Sequence, residues 1–199
     1  MSFRLKELLK YNLILASRSP RRQMLLKGLD LDFQIIVKSN DENYPSDMPL
    51  EEVPEYLSKI KATAIDLTTR GSNSIVITAD TVVILNNEII EKPKSEEEAF
   101  AMLQKLSGKS HTVITGVSLT SIEKQISFSA SSKVYFKELN IQDIEYYVNR
   151  YQPFDKAGSY GIQEWIGYIA IESIEGSFYN VMGLPTQLLY EKLMEFVKK

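Results

Sequence analysis

Between Ser74 and Leu85 the chain runs Ile75-Val76-Ile77 and then Val82-Val83-Ile84-Leu85 around an Asp80-Thr81 pair. A carboxylate in so apolar a run is costly unless it is paired, hydrogen-bonded or bound to a metal. Asp80 therefore reads either as a general base or metal ligand at the floor of a cleft, or as a structural aspartate paired with a lysine or capping a bulge. A second anomaly is Arg21-Arg22, which follows Ser19-Pro20 where a helix should begin. Cations in a first turn oppose the helix dipole at about 0.3–1 kcal/mol each, and an anion would reverse that balance. With Ser17, Ser19 and the first helical N–H groups as donors, Ser17-Arg18-Ser19-Pro20-Arg21-Arg22 reads as a phosphate cradle built without a glycine-rich loop. The alternative is a solvated basic turn.

Metal chemistry has few ligands to draw on. His111 is the single histidine and there is no cysteine, which excludes histidine-rich zinc sites, thiolate ligation, cysteine nucleophiles and disulfides. A catalytic metal would be held by carboxylates, water and substrate phosphates, which favours magnesium or manganese. Glu42, in Asn40-Asp41-Glu42, is the best second carboxylate beside Asp80, although a pair of loop acids is ordinarily just solvated. His111 itself reads as a strand-start or hydrogen-bonded structural residue. Lys61, and Lys92 beside Pro93, gain meaning only if the fold points them at the Ser17–Arg22 cradle. Gln163, among glycines and aromatics, reads either as a planar amide matching a base edge or as an ordinary loop residue. Tyr146, Tyr147, Tyr151 and Phe154 read as core and helix packing.

Several elements must position these residues. Asn12 to Ala16 predicts a strand, and Met24, Leu25, Leu26 and Leu29 fall at helical spacing after a Ser19 cap, with Gly28 as the stop. A strand over Phe33 to Val37 is followed by a polar loop over Ser39 to Pro49. A helix from about Pro54 to Leu67 then turns Tyr56, Leu57, Ile60, Ala64 and Ile65 inward. Ser74 to Leu85, apolar on both faces, predicts the buried centre of a sheet, and Asn86-Asn87 turns it into a hairpin with Glu88 to Ile90. Ser95 to Glu98 is a capping box for a helix closed by Gly108. Strands near His111 to Leu119 and Gln125 to Phe136 precede a helix near Ile141 to Arg150. A strand at Tyr168 to Glu172 sits within a glycine-rich region, and a terminal helix starts near Pro185. Hairpins and helices interspersed in this way predict an α/β protein with a mixed sheet.

The 199 residues, 44% hydrophobic and 25% charged, suit one soluble globular domain, or at most two lobes around a shared cleft. Charges interrupt the apolar N-terminal run and no stretch approaches about 18 apolar residues, so neither a secretion signal nor a membrane span is expected, and the protein reads as cytoplasmic. A net charge of −3 lacks the basic surface of a nonspecific nucleic-acid binder, so no stable nucleic-acid partner is expected. The glutamate-rich helix of Nudix hydrolases and the Gly-x-x-x-x-Gly-Lys of P-loop enzymes are both missing. A nucleotidyltransferase would need an acceptor substrate for which there is no motif.

These blocks, taken in order from Leu15 to Pro185, resemble the Maf family of nucleoside triphosphate pyrophosphatases, also called septum-formation-inhibitor-like proteins. The resemblance rests on Ala16 to Arg22, Glu42, Lys61-Ala62, Ala79 to Val83, Glu91-Lys92-Pro93, Leu106-Ser107-Gly108 and Thr115-Gly116-Val117. It continues through Asp155 to Gln163, Ile174-Glu175-Gly176 and Asn180 to Pro185. It implies a single Maf-like domain over 1–199, with the elongated, twisted mixed sheet, flanking helices and two lobes around a cleft of inosine triphosphate pyrophosphatases. It also implies metal-dependent hydrolysis of a nucleoside triphosphate to the monophosphate and pyrophosphate, with dTTP or UTP favoured and clearance of non-canonical nucleotides as one use. Asp80 matches the family's proton acceptor. Ser17, Arg21, Arg22, Glu42, Lys61 and Lys92 fall on phosphate- and metal-handling positions, with Asp80 and Glu42 near one ion. Arg21, Thr81 and Gln163 fall on positions linked to base choice. Glu164-Trp165 replaces a glycine that many relatives carry. The rival reading, suggested by the older family name, is a non-enzymatic regulator of cell division. A homodimer would be one way to cover an open sheet edge.

Overall fold

A computed structural model describes residues 3–38 and 43–198, so Glu42 lies outside the described residues. In chain order the elements are α1 (Phe3–Leu8), β1 (Asn12–Leu15), α2 (Pro20–Lys27), β2 (Phe33–Ile35), α3 (Val53–Thr63), β3 (Ser74–Leu85), β4 (Glu88–Ile90) and α4 (Glu96–Leu106). Then come β5 (Ser110–Thr120), β6 (Gln125–Phe136), α5 (Ile141–Tyr151), a 3-10 turn at Ala157–Ser159, α6 (Trp165–Ala170), β7 (Ile171–Glu175), α7 (Phe178–Met182) and α8 (Thr186–Val197). Local chemistry sets many of the ends. Ser19, in extended backbone, accepts from the Arg22 N–H with Pro20 first in α2, and the Gly28 N–H returns to the Met24 carbonyl. Ser95 caps α4, whose first turn carries Glu96, Glu97 and Glu98, the sign the helix dipole favours. Asn86 and Asn87 both have positive φ, 50° and 61°, the backbone of a two-residue hairpin turn between β3 and β4.

The strands form one seven-stranded sheet in the order β2-β1-β3-β5-β6-β7, with β4 beside β3. β1 runs parallel to both β2 and β3, whereas β3/β4 and β6/β7 are antiparallel. This is the mixed α/β arrangement that the interspersed hairpins and helices predict. β3 is interior to the sheet and buried along nearly its whole length, as its two apolar faces require.

Three expectations need correction. α3 ends at Thr63, four residues before Leu67, and its buried side is Val53, Pro54, Leu57, Ser58 and Ala62, with Tyr56, Ile60 and Ala64 only half-buried. β2 stops at Ile35, short of Val37. Tyr168 belongs to α6 and is 82% exposed, and the strand begins at Ile171. Ile166 and Ala170, four apart, are the buried side of α6. A short apolar run such as Tyr168-Ile169-Ala170-Ile171 fits either period until its partners are known. The N-terminal helix α1, which packs against α8, has no counterpart in the sequence reading because its apolar run is short and broken by charge.

The chain divides into two compact units. One comprises Met1–Asp80, Thr115–Ala130 and Gly183–Lys199, the other Thr81–Ile114 and Ser131–Met182. The first contains an aliphatic cluster of Ile14, Ile65 and Val76 with Ala16, Ile36 and Leu67 against it. The second centres on three rings, His111, Phe136 and Tyr160, meeting edge to face with centroids 5.0–5.4 Å apart. Among the described residues no helix is long and apolar enough to cross a membrane.

Candidate active site

In the first unit, β1 lies between β2 and β3, so the chain leaves β1 through α2 to one neighbour and returns through α3 to the other. In parallel sheets the crevice beyond the carboxyl end of such a strand is where ligands bind. The last β1 residue, Leu15, is paired with Ile77, and the Ala16 N–H donates to the Ile77 carbonyl. Ser17 to Arg22 therefore leaves the sheet beside the stretch of β3 that ends in Asp80. The turn is held by its own serines. Ser17 Oγ, on a buried residue, accepts from the Ser19 N–H at 3.2 Å, and the Ser17 carbonyl accepts from Gln23 Nε2. Arg22 is pinned on its Nε, which donates to the Gly183 carbonyl at 2.8 Å. Arg21 is half-buried.

Asp80 is 9% exposed. Lys61, from α3, places its Nζ 2.5 Å from Asp80 Oδ1. The lysine partner that the structural reading of Asp80 calls for is thus present, and it offsets the burial of the carboxylate. What holds Lys61 there is the seating of α3. Gly116 on β5 faces the start of α3 so closely that a Cβ would lie 2.2 Å from the Glu55 nitrogen and 2.3 Å from the Pro54 carbonyl carbon. Ser58, one turn before Lys61, shares a 2.8 Å hydrogen bond with Ser118, and Thr78 Oγ1 donates to the Ser58 carbonyl at 2.6 Å. The helix that carries the lysine is thus bolted to the two strands that flank it, one of them two residues before Asp80. This contact also explains why α3 buries its Pro54/Ser58 side.

In the second unit the sequence-selected residues are Thr81, half-buried at the unit's first position, exposed Lys92 before buried Pro93, and half-buried Gln163. Around Gln163 lies a network that sequence reasoning missed. Tyr147, fully buried on α5, donates its phenol to Glu164 Oε2 and accepts from the Gly161 N–H at 3.0 Å. Buried Lys156 sits 2.7 Å from Asp155 Oδ1 and 3.1 Å from Glu164 Oε1. Gln163 Nε2 reaches Glu164 Oε1 at 3.4 Å, while Gln163 Oε1 is buried with no hydrogen-bond partner among the described residues. Burial, and then the Glu164 hydrogen bond, push the Tyr147 phenol well above its ordinary range. Tyr147 and Tyr151 do stack, as packing predicts, whereas Tyr146 and Phe154 are exposed and not part of the core, and the tyrosine pattern gave no sign that one hydroxyl would orient a carboxylate. His111 is structural as expected. It is the second residue of β5, with Nε2 2.7 Å from the Tyr160 hydroxyl, and burial lowers it from the usual 6.5 to about 4.

A mixed-sheet α/β protein with a serine–arginine turn at a switch point and a half-buried lysine paired with a buried aspartate is the class these features define. The solved Staphylococcus aureus Ham1 protein shares the fold, with a TM-score of 0.54 at 16% identity, over 93% of this chain and 99% of that one. The sequence model described as "Maf-like protein" matches residues 12–196, and the chain belongs to that family. The chain is 50% identical to a dTTP/UTP pyrophosphatase of Parabacteroides distasonis over 193 residues, 96% of this chain and all of that protein. Its identity to one of Bacteroides thetaiotaomicron is 52%, over 92% and 95% of the two chains.

Proposed function

We infer that the protein is a nucleoside triphosphate pyrophosphatase acting in the cytoplasm on dTTP and UTP. The observation that carries this reading is the Lys61–Asp80 pair, in a chain half identical to curated dTTP/UTP pyrophosphatases. Water attacks the α-phosphorus, Asp80 takes its proton, the bond from that phosphorus to the bridging oxygen breaks, and pyrophosphate leaves with the electron pair. Ser17, Arg21, Arg22, Lys61 and Lys92 neutralise phosphate oxygens, and Thr81 and Gln163 contact the base.

The donor set fits a magnesium or manganese ion held largely by substrate phosphates and water. Asp80 offers hard carboxylate oxygens, and no group of three or more His, Asp or Glu side chains among the described residues could hold an ion unaided. Asp80 and Glu42 are its protein ligands in this proposal, and when bound the ion would supply further neutralisation of the phosphate charge. The test is a panel of canonical and modified nucleoside triphosphates with magnesium or manganese, scoring pyrophosphate and monophosphate separately. Pyrophosphate with TMP or UMP is expected, and orthophosphate with a diphosphate would overturn the assignment.

A further inference from the structure

Gly161, Gln163 and Glu164 in the second unit form an arrangement that the phosphate chemistry does not use. A carboxylate can only accept hydrogen bonds, so Glu164 dictates which end of the neighbouring amide faces it. Each of its oxygens is engaged, Oε2 by the Tyr147 phenol and Oε1 by Lys156 and by Gln163 Nε2. The Tyr147 oxygen already accepts from the Gly161 N–H, which commits its proton to Glu164. The close approach of the two side chains requires a glycine beside them. A Cβ on Gly161 would stand 2.7 Å from Glu164 Cδ and 2.9 Å from Gln163 Nε2. Turning the Gln163 amide over would set its oxygen against the Glu164 carboxylate, so the amide has one stable orientation. In that orientation Oε1 is the acceptor left without a protein partner among the described residues.

We propose that Glu164 is a positioning residue that sets base choice: it fixes the Gln163 amide so that only a base with an imide N–H at its pairing edge is matched. Thymine and uracil offer N3–H to Oε1, and their O4 can take the second Nε2 hydrogen. Cytosine has a bare N3 and a 4-amino group, and would be matched only by the reversed amide. The inference rests on the reading that Gln163 contacts the base, and its test separates the two.

The experiment compares kcat/KM for UTP and CTP, with magnesium, in the full chain and in Glu164→Gln, Gln163→Ala and the double variant. An amide at position 164 can donate as well as accept, which frees Gln163 to turn. Glu164→Gln is therefore expected to raise the CTP-to-UTP ratio by about tenfold, mainly through KM. The same change made on top of Gln163→Ala is expected to leave the ratio where Gln163→Ala alone puts it. A ratio that moves with Gln163→Ala but not with Glu164→Gln overturns the role of Glu164 alone, as does an equal shift in the double variant. A ratio unmoved by Gln163→Ala overturns the base contact itself, and a wild-type protein that turns over CTP as well as UTP overturns the inference outright. If Glu164→Gln does not fold, Tyr147→Phe, which removes one donor to the carboxylate, is expected to shift the ratio in the same direction by a smaller factor, and no shift would count against the proposal.

Discussion

The first unit secures its buried polar groups by seating backbone on backbone. Gly116 lets α3 touch β5, hydroxyls of Ser58, Thr78 and Ser118 fasten the contact, and Lys61, in the last turn of α3, reaches Asp80 in the middle of β3. The second unit secures its polar groups side chain to side chain. Tyr147, Lys156, Glu164 and Gln163 satisfy one another in a closed set that leaves one amide oxygen over. A site of the first kind keeps opposite charges at a set separation, as phosphate chemistry needs. One of the second kind presents a single acceptor of defined polarity, as discrimination between flat bases needs.

Substitutions can break this contrast. Asp80→Asn removes the proposed proton acceptor and is expected to lower kcat by about a thousandfold while nucleotide still binds, as measured by steady-state kinetics and calorimetry. Turnover near the wild-type rate would take the base role from Asp80. Gly116→Ala forces α3 off the sheet, with an expected loss of about 1–3 kcal/mol in denaturant unfolding and slower turnover, because Lys61 moves with the helix. The nearest atoms to a Cβ at Gly161 belong to the Glu164 and Gln163 side chains and not to backbone, so Gly161→Ala should alter base choice before it alters stability. If both glycine variants change stability alike, the contrast between the units fails.

A smaller effect concerns acid. His111 titrates near 4 in the folded chain and near 6.5 unfolded, so between those values unfolding takes up a proton. Its contribution to stability is full above pH 6.5 and declines as the pH falls toward 4. The unfolding midpoint should show that slope in the wild type and lose it in His111→Leu; an unchanged slope would place the acid sensitivity elsewhere. The smallest expected change is for Gln163→Ala, a several-fold shift in the ratio of pyrimidine to purine turnover with the unfolding midpoint unmoved.

The sequence made legible what short-range patterns encode. Ser19-Pro20 and Ser95 announce their helices, Asn86-Asn87 its hairpin, and the apolar run around Asp80 the middle of the sheet. The burial cost of a lone carboxylate also pointed to Asp80 before any partner was known. Its partner could not be read, because nineteen residues separate Lys61 from Asp80 and any lysine could have answered. Glu164 lay in view as a departure beside Gln163, but its meaning depends on a tyrosine seventeen residues earlier and on a buried lysine. Lysines are almost never fully buried unless paired, so nothing local marks Lys156. The seating of α3 was hidden for another reason, since a glycine in a strand pattern says that something comes close and not what.

The burial of His111 has a kinetic consequence. It is the chain's single histidine and cysteine is absent, while His111 is 2% exposed and locked against Tyr160 and Phe136. Chain terminus aside, no solvent-facing side chain here has an ordinary titration range between pH 5 and 8. Any bend in its rate against pH in that window is thus a signal from the nucleotide, from water carried by a bound ion, or from an acid or lysine displaced far from its usual range.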